Sequence, residues 1–217
     1  MSQRREERLR RLQQTILYGI VDLGYVEPEE VAQVTQRMID QRVGVIQLRA
    51  KNLDQAEVLK LAQVMSPLIA QSQSLFVVND YPEIAMEVKA DGLHVGQDDG
   101  AYELVKKLVD PEMFIGRSTH SIEQAKQAYQ EGFDYIGFGP LFVTATKPGR
   151  LAIGLEEIQL HQDVMEDFPV FCIGGVNLER LPAIRQAGAK RYVIVSELLN
   201  HVDSEEYWDA LGALNFS

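Results

Sequence analysis

Asp134-Tyr135-Ile136-Gly137-Phe138-Gly139-Pro140-Leu141-Phe142-Val143-Thr144-Ala145-Thr146-Lys147-Pro148-Gly149 runs from a short apolar, β-prone segment straight into a loop of hydroxyls, glycines and one cation. In an extended segment Thr144 and Thr146, two apart, project their hydroxyls the same way, and Lys147 beside them is a mobile point charge suited to a phosphoryl oxygen. Glycines 137, 139 and 149 allow backbone to approach a ligand closely. Taken alone, a T-x-T-K loop is usually ordinary polar surface. Here the same arrangement, an apolar run ending in chemically useful residues, recurs along the chain.

Working outward, apolar β-prone runs fall at 16–21, 43–48, 75–78, 92–95, 113–116, 134–138, 169–173 and 191–195. The segments between them carry helix signals: Pro28 with Glu29 and Glu30 in a first turn, Asp54 with Glu57 and Ser121 with Gln124 as capping boxes, Asn177 as a cap, and Asp203 with Glu206 opening a last helix. Gly132 and Gly188 stand where helices should stop. Eight strand–helix units predict an α/β fold, a single-domain (β/α)8 TIM barrel over 16–217. Leu9, Leu12 and Ile16 lie at helical spacing and predict a short helix over 1–15 that closes the barrel floor. A doubly wound open sheet has the same alternation. The polar residues decide between them, because they follow seven different strands, and only a barrel brings so many strand ends to one mouth.

The chain has 217 residues, of which 46% are apolar, enough for one full core. Its net charge of −11 argues against a nucleic-acid binder that works by neutralising phosphates, so an anionic ligand needs a local site. No apolar run is long enough to span a bilayer, and the first residues lack the apolar centre of a signal peptide. Arg4, Arg5, Arg8, Arg10 and Arg11 are interrupted by Glu6 and Glu7, a poor fit to a transit peptide. The single cysteine, Cys172, sits in an apolar run and reads as a small buried side chain in a cytoplasmic protein. The sequence leaves a homo-oligomer open as a partner.

The strand ends group by chemistry. Gln47, Arg49 and Lys51 are same-face donors able to grip a diphosphate and the edge of a heterocycle. Asn79-Asp80 and Gln97-Asp98-Asp99 offer oxygen ligands on adjacent strands, the donor type that Mg²⁺ takes when it bridges carboxylates and phosphates. Either acidic group alone would more often be a helix cap. Gly174-Gly175 and Val195-Ser196 come after the seventh and eighth runs, where barrels hold phosphate on backbone N–H groups. Ser118 and His120 come after the fifth.

Gln47-Leu48-Arg49-Ala50-Lys51, Asn79-Asp80, Gly92-Leu93-His94-Val95-Gly96-Gln97-Asp98-Asp99, Ser118-Thr119-His120, the quoted loop and Ile173-Gly174-Gly175 together resemble the thiamine-phosphate synthase family, in order and over nearly the whole chain from Tyr18 to Ser196. The resemblance implies a transferase that joins hydroxymethylpyrimidine diphosphate to hydroxyethylthiazole phosphate, or its carboxylated form, and releases pyrophosphate. It implies that Gln47, Leu48, Arg49, Ala50, Lys51, Asn79, Ser118 and Lys147 bind the pyrimidine diphosphate, with Lys51, Ser118 and Lys147 catalytic. Thr144, Ala145, Thr146, Gly175, Val195 and Ser196 would hold the thiazole phosphate, and Asp80 and Asp99 the Mg²⁺. The partners implied are small phosphorylated molecules rather than nucleic acid or membrane. Departures from the family pattern are Ala145 for a proline, Arg117 for a small apolar residue, Lys190-Arg191 for an Asp-Gly, and Glu197 beside Ser196, a carboxylate next to an expected phosphate. Two alternatives remain: a thiazole tautomerase on the same barrel, using His120, and a barrel that only binds thiamine precursors. Lys51, Asp80, Asp99 and Lys147 would have no evident task in either.

Overall fold

The computed structural model describes residues 2–144, 151–159 and 167–214. Eight parallel strands close a barrel in sequence order: β1 Leu17–Asp22, β2 Val45–Arg49, β3 Leu75–Asn79, β4 Gly92–Val95, β5 Phe114–Thr119, β6 Tyr135–Phe138, β7 Val170–Cys172 and β8 Tyr192–Ile194. Closure is seen at Tyr18, which stands opposite Val45 on one side and Val193 on the other. Around the strands run α1 Gln3–Gln14, α2 Val31–Asp40, α3 Gln55–Ala70, α4 Pro82–Glu87, α5 Tyr102–Val105, α6 Ile122–Glu131, α7 Leu181–Gln186, α8 Ser196–Asn200 and α9 Glu205–Ala213. Among the described residues no helix is long and apolar enough to cross a membrane.

Both faces of each strand are buried, so the runs read as continuously apolar, yet alternate residues go to different places. Val45, Leu75, Val77, Phe114, Tyr135 and Phe171 fill the interior, while Ile46, Leu48, Phe76, Val78 and Ile136 pack under the helices. The interior is crowded enough that a Cβ on Gly116 would lie 2.0 Å from the Tyr135 ring. Toward the C-terminal ends the interior series turns polar, at Gln47, Asn79 and His94, all buried. Apolar layers thus support a polar one.

Helix signals held in kind and shifted in detail. Asp54 and Glu57 form the reciprocal capping box, and Gly132 ends α6 at a φ of 99°. Ser121 caps Gln124 N–H, but the Gln124 side chain accepts from His120 N–H instead of returning to Ser121, so the box is half formed. Pro28 opens a single 3₁₀ turn ahead of α2. Asn177 accepts from Arg180 N–H and so caps the turn leading to α7. Ser204, not Asp203, caps α9; Asp203 instead pairs with Arg37. Ile16 lies past the end of α1, in the lead into β1.

The N-terminal helix closes the barrel floor, as its spacing predicted. Leu12 is fully buried among the interior residues. Arg8, 5% exposed, pairs with Asp91 at 2.8 Å and donates to the Glu112 carbonyl. Arg5 reaches Asp134 at 2.7 Å and the Met113 carbonyl. Those two carboxylates also accept from Phe76 and Ile115 N–H, so each ties a strand start to the helix. The basic N-terminus is therefore, in part, a docking device.

Candidate active site

The polar layer forms the floor of a cavity at the C-terminal mouth of the barrel, with about 870 Å³ of empty space, open solvent at its mouth included. Six consecutive strands contribute one side chain each: Tyr18, Gln47, Asn79, His94, Ser118 and Tyr135, all lining the cavity. They are hydrogen-bonded in a row. Gln47 Nε2 donates to Asn79 Oδ1 at 3.2 Å, Tyr18 OH donates to Gln47 Oε1 at 2.7 Å, and the two tyrosine hydroxyls are 3.0 Å apart. Tyr135 OH is 3.0 Å from His94 Nδ1, and His94 Nε2 is 2.9 Å from Ser118 Oγ. Burial holds the hydroxyls of Tyr18 and Tyr135 protonated well above the ordinary phenol range.

Charged residues follow at or just past the ends of β1 to β4; Asp22 and Arg49 line the cavity, whereas Lys51, Asp80 and Asp99 are not part of its lining. Arg49 Nη1 lies 2.6 Å from Asp22 Oδ2, and Asp22 is 2% exposed with its other oxygen accepting from Gly24 N–H. Asp22 went unnoticed among the sequence candidates, although it ends β1 as the other candidates end their strands. Leu48 and Ala50 are buried under the helices, so they can offer a ligand only backbone. Lys51 Nζ is 3.2 Å from Asp80 Oδ2. Burial pushes the Asp80 carboxyl above the usual carboxylate range; Lys51 opposes this and the nearby Asp99 carboxylate adds to it. Asp99 is itself held by Gly96 N–H at 2.6 Å.

Two crowded carboxylates on neighbouring strand ends, with one ammonium beside them, suit a hard divalent cation. Their oxygens match what Mg²⁺ accepts, and a pair leaves positions for water and phosphate oxygens. Among the described residues no cluster of three or more His, Cys, Asp or Glu could hold a metal by itself. The pair by itself leaves most positions of such an ion to water or to other oxygen ligands.

On the other side of the mouth, Gly174 and Gly175 adopt φ of 98° and 67° and line the cavity with Thr144, Val195 and Ser196. A Cβ on Gly175 would meet Phe142 Cβ at 2.8 Å and Arg180 Nη1 at 2.7 Å. Arg180, also missed in the sequence, donates to the Gly175 carbonyl at 3.0 Å and stacks over Phe142, which backs the glycine turn with a positive charge. Burial first, and then the charge of Glu197, raise the Tyr207 hydroxyl, so this carboxylate lies within electrostatic reach of the outer helix α9. Ala145, Thr146 and Lys147 lie outside the described residues.

His120 lines the cavity and places Nδ1 2.5 Å from the Gly139 carbonyl. Arg117 points outward, to Glu131 at 3.0 Å and to the Gln97 carbonyl at 2.9 Å, while Gln97 Nε2 donates to the Ser118 carbonyl. This departure from the family pattern ties the loop carrying Asp99 to β5 and α6. Cys172 is buried under the helices, and burial pushes its thiol up to about 12, which rules it out as a nucleophile at neutral pH.

The sequence profile of the thiamine monophosphate synthase family matches residues 17–198, from the start of β1 into α8. The chain belongs to this family. It is 40% identical over 167 residues to a thiamine-phosphate synthase of Synechococcus sp. (strain CC9311), covering 76% of this chain and 46% of the relative. To a thiamine-phosphate synthase of Thermus thermophilus it is 38% identical over 177 residues, 82% of this chain and 85% of the relative. The chain therefore spans about half the length of the Synechococcus relative and most of the Thermus one. A solved thiamine phosphate pyrophosphorylase from Pyrococcus furiosus superposes with a TM-score of 0.79 at 28% identity, over 94% of this chain and 96% of that one. Family membership and barrel fold agree.

Proposed function

We propose that this chain is a thiamine-phosphate synthase, joining hydroxymethylpyrimidine diphosphate to hydroxyethylthiazole phosphate, or its carboxylated form, with release of pyrophosphate and, from the carboxylated form, of carbon dioxide. The observation that carries this reading is one mouth whose polar floor has Arg49 on one side and Thr144, Gly174, Gly175 and Ser196 on the other, all lining the cavity, with the Lys51–Asp80 pair and nearby Asp99 just past the ends of β2, β3 and β4. We read the first side, with Lys51, Asp80 and Asp99, as the place of the diphosphate, and the second as that of the thiazole phosphate. Two phosphorylated substrates can therefore meet over the floor.

In this reading Gln47, Asn79 and Ser118 hold the pyrimidine edge, while Arg49, Lys51 and, from the loop, Lys147 bind the diphosphate. Thr144 and Thr146, with backbone at Ala145, Gly175, Val195 and Ser196, orient the thiazole phosphate. Bound by Asp80 and Asp99, Mg²⁺ would supply neutralisation of the leaving diphosphate. The bond between the pyrimidine methylene and the diphosphate oxygen breaks, with both electrons leaving on oxygen, and the electron-rich aminopyrimidine stabilises the cation left behind. The thiazole nitrogen lone pair then forms the new carbon–nitrogen bond. Lys51 and Lys147 offset the charge that grows on the departing oxygens, and Ser118 holds the ring in line. No protein nucleophile takes part. A cytoplasmic setting belongs to the same reading, since it supplies phosphorylated precursors and keeps Cys172 reduced.

Incubation of purified protein with both precursors and Mg²⁺ should yield thiamine phosphate and pyrophosphate in equal amounts. If neither forms, or if the protein instead isomerises a carboxylated thiazole phosphate without any pyrimidine present, the reading is wrong.

A further inference from the structure

We infer that the hydrogen-bonded floor of the mouth runs in one direction, and that His94 is a positioning residue whose Nδ1–H tautomer makes Ser118 Oγ an obligate acceptor toward the ligand. The argument is proton counting. A hydroxyl has one proton to donate, a neutral imidazole has one, and an amide has donors at one end only.

Gln47 sets the direction, because its Nε2 donates to Asn79 Oδ1 and its Oε1 accepts from Tyr18 OH. Tyr18 has then spent its proton, so at the 3.0 Å contact with Tyr135 it accepts and Tyr135 donates. Tyr135 has now spent its own. Its 3.0 Å contact with His94 Nδ1 needs a proton from the ring, which places the imidazole proton on Nδ1. Nε2 is left with a lone pair, and the 2.9 Å contact with Ser118 is a bond donated by the serine hydroxyl. Ser118 thus faces the cavity with lone pairs only.

Gln47 and Tyr135 belong to strands β2 and β6, and the row reaches from β3 around to β5, so the orientation of one amide is felt at a hydroxyl on the far side of the mouth. The opposite direction would require the Gln47 amide to be turned over and the proton to sit on Nε2. The two directions present opposite faces to a ligand. In the inferred one, spare amide N–H donors stand at the Gln47–Asn79 end and an acceptor stands at the Ser118 end. That pattern selects a heteroaromatic amine, with its amino group toward Ser118, over the oxo analogue, which would bring a lone pair against a lone pair. The ligand half of the inference rests on the proposed function; the direction of the row does not.

The test begins on free protein with ¹⁵N-labelled histidine, using long-range ¹H–¹⁵N correlations. The His94 set is the one missing in His94→Gln or, if that variant does not fold, the one that persists when His120, His161 and His201 are each replaced by Asn. The expected result is a neutral ring protonated on Nδ1. A ring protonated on Nε2, or on both nitrogens, overturns the inference. Tyr135→Phe removes the hydroxyl that accepts the Nδ1 proton, along with its bond to Tyr18, and should abolish the pure Nδ1–H signature. An unchanged signature in that variant also overturns it.

Calorimetric titration with 4-amino-5-hydroxymethyl-2-methylpyrimidine and with its 4-oxo analogue then reads the ligand half. The amine should bind about 10- to 100-fold more tightly to the wild type, and the preference should fall to about threefold or less in His94→Phe, where Ser118 regains its proton. Equal binding of the two compounds by a wild type with the Nδ1–H ring overturns the role assigned to Ser118. Thiamine phosphate production by that same protein would leave the proposed function standing. An Nδ1–H ring in a protein that binds neither pyrimidine and makes no thiamine phosphate supports the direction of the row and sinks the proposed function instead.

Discussion

Asp80 holds a φ of 65°, a left-handed conformation that costs a residue other than glycine about 1–3 kcal/mol, and its N–H donates to the His94 carbonyl at 3.0 Å. That bond fixes the carboxylate beside Lys51 at the mouth. We expect Asp80→Ala or Asp99→Ala to remove about 3 kcal/mol or more of transition-state stabilisation, a loss of roughly 100-fold or greater in kcat/KM, while thermal unfolding stays close to wild type. Full turnover in EDTA would contradict the metal reading. His120 gives a second expectation. Its Nδ1 contact with Gly139 can be kept by an Asn amide, so His120→Asn should retain substantial coupling activity. A proton shuttle at this position would instead lose about 10²- to 10⁴-fold in a rate assay.

At the scale of elements, α1 and the Gln97–Asp99 loop are each held by arginines whose partners lie far away in sequence. Arg8→Ala leaves Asp91 without its guanidinium at the barrel floor, where Arg8 is 5% exposed. The exposure of Asp91 softens the penalty, and a loss of about 2–4 kcal/mol is expected, measurable as a lower urea midpoint. Loss of less than about 0.5 kcal/mol would mean that Leu12 alone docks the helix. Arg117→Ala should act on the loop instead. With the Gln97 carbonyl and Glu131 both released, we expect amide hydrogens of residues 96–99 to exchange faster, and a higher Mg²⁺ concentration for half-maximal turnover. Unchanged exchange there would show that the loop holds itself.

For the molecule as a whole, the buried acids of the outer layer make stability depend on alkaline pH. Burial raises the Cys172 thiol from 9.0 to about 12 and the Tyr192 hydroxyl from 10.0 to about 12. Both stay protonated in the fold after the unfolded chain has begun to ionise, so the unfolded state binds fewer protons and stability falls with rising pH. Their contribution is complete below about pH 9, the unperturbed thiol value, and is lost toward pH 12. Urea midpoints measured from pH 7 to pH 11 should be flat at first and then decline. Cys172→Ala, which lowers stability through its cavity, should decline less steeply, and an equal slope would exclude the thiol as a source.

Read by itself, the chain determined the strand–helix alternation, the barrel and the strand ends that carry chemistry. These depend on periods of 2 and 3.6 residues and on the residues just past each apolar run, all within a dozen positions. Asn79, Asp80, Ser118 and Gly175 could be singled out because each comes close to, or just after, the end of a strand, and Gln47 because it shares a face with Arg49. Applied to β1, the same rule would have found Asp22. Only the tertiary structure decided the partners: Arg49 with Asp22, Arg8 with Asp91, and Arg180 behind Gly175. Tyr18 and Tyr135 are 117 positions apart, and their hydroxyls meet only because closure of the sheet sets β1 and β6 across one interior. No local pattern encodes that meeting, since it arises from the stagger of all eight strands and from the volume left between them.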